Sequence, residues 1–106
     1  MTHTMLQLTE LDIHGGQEAA FETTFLEAEA LLRGARGYLR HSLRRGVETP
    51  SRYLLLVQWR HLEDHTVHFR EAPEHITWKA LLSPFYARTP KSVHFELAGN
   101  ATEIWV

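Results

Sequence analysis

Arg52-Tyr53-Leu54-Leu55-Leu56-Val57-Gln58-Trp59-Arg60 is the stretch that decides the fold. Tyr53, Leu55, Val57 and Trp59 alternate with Leu54, Leu56 and Gln58, the period-2 pattern of a strand. Both of its faces are mainly apolar, whereas an antiparallel sheet ordinarily leaves one face to water. In a chain of 106 residues two helices can cover only one face. A second copy of the chain is the simplest cover for the other.

The neighbouring segments fit a sheet built around this strand. Upstream, Tyr38 to Val47 reads as its hairpin partner, joined through the breakers Glu48-Thr49-Pro50-Ser51. Before that, Phe21, Phe25, Ala28 and Leu32 recur at i, i+4, i+7 and i+11, one apolar stripe of a helix over 17–33 that stops at Gly34. Met5 to Ile13 reads as the first strand. Leu6 and Leu8 share one face and Leu11 and Ile13 the other, so a bulge is expected near Thr9–Glu10. Downstream, Leu62 to Glu71 reads as a helix with Leu62, Thr66 and Phe69 on one stripe. Ala72-Pro73 interrupts it, and a second helical segment starts at Pro73 and runs to Leu82. Ser92 to Leu97 is the fourth strand, and Ile104–Val106 a further short strand or arm.

The order β-α-β-β-α-β defines an α+β, ferredoxin-like fold, with a four-stranded antiparallel sheet and both helices on one face. Residues 1–106 form a single domain. Two such sheets packed through their bare faces make a homodimer, a dimeric α+β barrel.

Composition narrows the function classes. Net charge is −2, which argues against general nucleic-acid affinity. Cysteine is absent, so disulfides, thiolate metal sites and thiol nucleophiles are excluded. The longest apolar run, Leu54 to Val57, is too short to span a bilayer. Met1-Thr2-His3-Thr4 opens no secretory signal, so a cytoplasmic setting is expected. Arg33, Arg36, Arg40, Arg44, Arg45 and Arg52 fall together. They read either as an anion-binding patch or as a solvated strand pair, and the abundant acids favour the second.

A family is recognisable from particular residues. Tyr53 to Arg60, Leu62-Glu63-Asp64, His68-Phe69, Ala72-Pro73-Glu74-His75 and Trp78 resemble the antibiotic biosynthesis monooxygenase superfamily, as do Gly37-Tyr38 and the closing Pro90 to Phe95. The resemblance runs over nearly the whole chain and implies the dimeric barrel. It also implies a pocket for a small aromatic molecule and chemistry without a cofactor, in which the substrate's own carbanion reduces dioxygen. In the quinone-forming members a tryptophan ends the third strand, and Trp59 matches it. Those members carry an asparagine where this chain has Leu55, and a tyrosine where it has His65. The haem-degrading members differ more, because their asparagine in strand one, and their tryptophan and histidine near His68 and Trp78, have no match.

On this basis His65 and His68 are the candidate catalytic residues, as proton acceptors that titrate near neutral pH. Leu55, Trp59, Phe69, Trp78 and Tyr86 are the candidate substrate-binding residues. His61, His65 and His68 lie at i, i+4 and i+7 with Glu71 nearby. The spacing could suggest a metal site, but it lacks a recognised ligand motif, and no metal or other cofactor is expected. Two alternatives remain: a non-catalytic ligand-binding or accessory protein of the same fold, and a haem- or metal-dependent enzyme.

Overall fold

The computed structural model describes residues 4–102; Ile104–Val106 lies outside them. Its elements are β1 (Met5–Asp12), α1 (Glu18–Arg33), β2 (Tyr38–Arg45), β3 (Arg52–Trp59), a π-helix (Asp64–Phe69), α2 (Pro73–Leu82), a 3-10 turn (Ser83–Phe85) and β4 (Lys91–Glu96). The four strands form one antiparallel sheet in the order β2-β3-β1-β4. This is the expected α+β arrangement.

One face of the sheet carries the core. Tyr53, Leu55, Val57 and Trp59 pack against Phe21, Phe25, Ala28 and Leu32 of α1 and against Trp78 and Leu82 of α2. Leu54 and Leu56 point to the opposite face and are half-buried. On the same face Leu8 of β1 pairs with Leu56 and Glu10 with Leu54, while Leu6 lies opposite Gln58; Phe95 and Val93 of β4 follow beside Leu6 and Leu8.

Two expectations are corrected. There is no bulge at Thr9–Glu10. β1 runs in unbroken register against β3 from Met5↔Trp59 to Asp12↔Arg52, and against β4 from Met5↔Glu96 to Glu10↔Lys91. Leu6 and Leu8 therefore face away from the helices, while Gln7 and Thr9 join Leu11 on the buried face. Polar side chains are tolerated there because each is hydrogen-bonded. The one register shift of the sheet lies instead in β2, between Tyr38 and Arg40.

The second correction concerns Leu62 to Glu71. The segment has α-helical ends but winds as a π-helix through Asp64–Phe69. Bonding from i to i+5 changes which residues share a face. Asp64, His65 and Phe69 are buried, whereas Leu62 and Thr66 are only half-buried.

A latch fixes where this π-helix starts. Oδ2 of Asp64 accepts the His61 backbone N–H at 3.0 Å, and Arg60 N–H donates to the Gly37 carbonyl at 2.7 Å. Gly37 has φ +77° and sits directly against the Asp64 carboxylate, so any Cβ there would overlap it. Gly37→Ala therefore combines a left-handed backbone penalty with a clash against a buried side chain. It is expected to lower stability by about 2 kcal/mol or more, read as a drop in the urea unfolding midpoint.

Candidate functional site

Between the sheet and α2 lies a cavity of about 760 Å³, within the roughly 300–1,000 Å³ usual for small-molecule sites. Its apolar walls are Leu11, Leu32, Leu55, Val57, Phe69 and Trp78. Trp78 is fixed by edge contacts with Phe25 and Phe69, at ring separations of 5.9 and 5.7 Å. Tyr86 enters from the far side. Its backbone bridges to Ile13, and the neighbouring residues clip onto the end of β1 through His14 N–H to Phe85 O (2.9 Å) and Ala87 N–H to Asp12 O (2.7 Å). Burial raises its phenol to about 12, so at neutral pH Tyr86 is a hydrogen-bond donor.

The floor is polar and ordered. Trp59 Nε1–H donates to Gln7 Oε1 at 2.8 Å. An indole nitrogen can only donate, which fixes the Gln7 amide with its nitrogen toward Thr9. Gln7 Nε2–H donates to Thr9 Oγ1, and Thr9 Oγ1 bonds Ser92 Oγ, both at 2.7 Å. Gln7, Thr9 and Ser92 all line the cavity.

His65 stands at one end. Its ring stacks on Trp59, with centroids 5.7 Å apart and planes at 20°. Its Nδ1 bonds His94 Nε2 at 2.8 Å. Among the described residues no side-chain nitrogen or oxygen is buried without a partner, so the remaining Nε2 of His65 is not sealed off, and the residue lines the cavity. Burial first, and then the Arg70 guanidinium, push His65 down to about 3. His94 and His75 are lowered by burial as well, and His75 bonds the Arg70 backbone carbonyl. At neutral pH, then, the His65–His94 pair is uncharged, with a single hydrogen between the two nitrogens.

Five of the seven site residues named from the sequence meet in this cavity: Leu55, His65, Phe69, Trp78 and Tyr86. Trp59 does not line it. The indole is fully buried one layer behind, held by Gln7, stacked on His65 and touched edge-on by Tyr38 (6.5 Å, 84°). Tyr38 is tied in turn through its hydroxyl to His41 Nδ1 (2.6 Å), and His41 Nε2 bonds Glu29 of α1. His68 is half-buried and likewise not on the lining. His61 is exposed, and among the described residues no three His, Cys, Asp or Glu side chains gather as metal ligands.

Sequence reading missed Gln7, Thr9, Ser92 and His94. One signal for the last two existed. Ser92 and His94 share a strand face, opposite Val93 and Phe95, but only the register shows which face looks into the cavity. Several of the clustered arginines are taken up locally. Arg33 pairs with Glu29, Arg45 with Glu22, and Arg52 with Glu10 and Asp12, as the solvated-strand reading expected.

An antiparallel four-stranded sheet backed by two helices, with an aromatic-walled cavity between them, defines a ferredoxin-like α+β domain. The antibiotic biosynthesis monooxygenase family model matches residues 4–81, and the chain belongs to that family. It is 45% identical over 86 residues to the uncharacterized protein YczJ of Bacillus subtilis (strain 168), covering 81% of this chain and 90% of that protein. A Bordetella bronchiseptica structure from the same family superposes with a TM-score of 0.87 at 29% identity, covering 91% of this chain and 98% of the other. A variant of SnoaB, a cofactor-independent oxygenase from Streptomyces nogalater, superposes with a TM-score of 0.78 at 19% identity, covering 94% and 98%. The last likeness shows the fold alone. No helix among the described residues is long and apolar enough to cross a membrane.

The histidine pair makes stability depend on pH. Unfolded, His65 takes up its proton near 6.5; folded, it does so only near 3. Acid therefore protonates the unfolded chain first. The stability His65 contributes is complete above its unfolded pKa and is lost as pH falls from there toward the folded value. Between about pH 7 and about pH 5, where carboxylates titrate little, His65 alone accounts for at most about 2 kcal/mol. Urea midpoints measured across that window are expected to fall for the native chain and to fall less steeply for His65→Asn.

Proposed function

We propose that this chain is a cofactor-independent monooxygenase that oxidises a small quinol- or anthrone-like aromatic in the cavity between sheet and helices. Membership of the family supports the reaction class. The observation that carries the reading is His65. A neutral imidazole lines a chamber with aromatic walls, its face stacked on Trp59, one nitrogen engaged by His94 and the other without a hydrogen-bond partner among the described residues.

The aromatic rings lie among Leu55, Phe69 and Trp78, and water is displaced. An activated C–H proton of the substrate passes to Nε2 of His65. Nδ1 releases its own hydrogen toward His94, which is only half-buried, so charge need not stay in the dry chamber. The substrate carbanion passes electrons to dioxygen, and carbon and oxygen join as a peroxide that takes up a proton. Loss of the second C–H proton and cleavage of the O–O bond then release water and leave a carbonyl. In sum, a CH2 group and dioxygen become C=O and water, with all four electrons that reduce dioxygen drawn from the substrate. Tyr86 remains a phenol and donates a hydrogen bond to substrate oxygen. Trp59 is a positioning residue on this reading, and His68, off the lining, has no part in it.

Dioxygen uptake with a panel of anthrones and hydroquinones tests the proposal. Equal amounts of dioxygen consumed and quinone formed are expected, with a loss of roughly a hundredfold or more in kcat for His65→Gln. Leu55, where quinone-forming relatives carry a polar residue, favours a second reading of binding without turnover. Aromatics that bind while no dioxygen is consumed would establish that reading instead.

We also propose that the bare sheet face pairs with a second copy of the chain. Leu6, Leu8, Leu54 and Leu56 form an apolar strip across it. Val93 and Phe95, 49% and 52% exposed, extend the strip, and exposed patches of this kind mark interfaces. Sedimentation should give a dimer for the native chain and a folded monomer for Phe95→Glu.

A further inference from the structure

The mouth of the cavity has a charge character unlike that of the chain. Overall, acids outnumber bases by thirteen to eleven. The cavity lining nevertheless includes Arg70, Lys79 and Arg88 and no carboxylate side chain. Arg88 is committed to Asp12 at 3.3 Å. Arg70 and Lys79 take part in no ion pair among the described residues.

These two cations are exposed and also line the cavity, which places them at its mouth. Arg70 follows directly on Phe69, a cavity wall, and Lys79 follows directly on Trp78, another. His75 lies between them in sequence, with its ring on Phe69 (5.2 Å). The positive charge of Arg70 is felt by His65, His75 and His94 together, and that of Lys79 by His75. With the histidines neutral, the mouth has fixed positive charge and no built-in counter-ion. Guanidinium and ammonium groups beside low-dielectric walls raise the local concentration of anions, and bind carboxylates through charge-assisted hydrogen bonds.

We propose that the ligand of this cavity is an aromatic anion: a fused or substituted ring system bearing a carboxylate or equivalent oxyanion, held at the mouth by Arg70 and Lys79 with its rings on Phe69 and Trp78. The proposal rests on the reading of the cavity as an aromatic site and names the substrate class more narrowly. A neutral aromatic leaves both cations to water. An acidic one supplies the missing counter-ion and sets which end of the molecule points inward, toward His65.

Matched probes test this without any need for turnover. Binding of 2-naphthoate and of 2-naphthamide, the neutral isostere, is measured by calorimetry on the native protein. The carboxylate should bind about tenfold or more tighter, and its advantage should shrink with added salt. In the exposed-residue variant Arg70→Gln/Lys79→Gln the preference should fall to about twofold or less, while affinity for the amide holds. Equal affinity for the two probes on the native protein, binding of neither, or a preference that survives the double substitution would overturn the proposal. If naphthoate binds selectively and yet no anionic anthrone or hydroquinone consumes dioxygen, the anion site stands and the monooxygenase reading falls.

Discussion

The indole N–H of Trp59 is sealed in the core, and a buried donor without an acceptor costs roughly 1–3 kcal/mol. Gln7 supplies the acceptor, and much of the site is arranged around that requirement. A glutamine must then occupy the inner face of β1, which places its amide nitrogen against Thr9 and the Thr9 hydroxyl against Ser92. The polar file across the cavity floor is the continuation of one satisfied hydrogen bond. On its other side, the anchored indole offers a flat surface, and His65 lies on it almost in parallel. Holding the ring in that plane lets Nδ1 meet His94 while the residue lines the chamber.

Much of the architecture could be read from the chain because burial and local periodicity agree. The stripe of Phe21, Phe25, Ala28 and Leu32 became the buried face of α1, and Tyr53, Leu55, Val57 and Trp59 that of β3. β1 misled for a definite reason. Its apolar pairs Leu6–Leu8 and Leu11–Ile13 sit on opposite parities, and the rule that apolar residues face inward invites a bulge to reconcile them. The sheet instead keeps its parity and buries Gln7 and Thr9, because a cavity needs polar groups on its floor. β4 carries the same inversion: Val93 and Phe95 are exposed, while Ser92 and His94 turn toward the helices. Pattern reading assumes a filled interior, so it goes wrong where the interior is hollow.

The second helical region failed on winding. A π-helix has no strong sequence mark, and the stripe of Leu62, Thr66 and Phe69 is a sound α-helical pattern. The aromatic residues Phe69, Trp78 and Tyr86, named from the sequence, lie on the cavity wall, since their size demands burial near the sheet. Arg70 and Lys79 stood out in no pattern. They matter only by adjacency to buried aromatics, and by the absence of acids from the lining around them.

The π-helix has a consequence for how this site can vary. Each residue of an α-helix turns the chain by about 100°, and the π-segment holds more chain per turn than an α-helix allows. Asp64 and Phe69, five positions apart, share the buried side with His65 because the segment is one residue longer than regular winding would use. Conservative exchanges within it leave that count intact. A deletion of one residue between Asp64 and Phe69 would restore ordinary winding and swing one wall of the chamber relative to the other, even if no contacting side chain were changed. The chamber is thus set by chain length as much as by composition, and indels here would remodel it more abruptly than substitutions do.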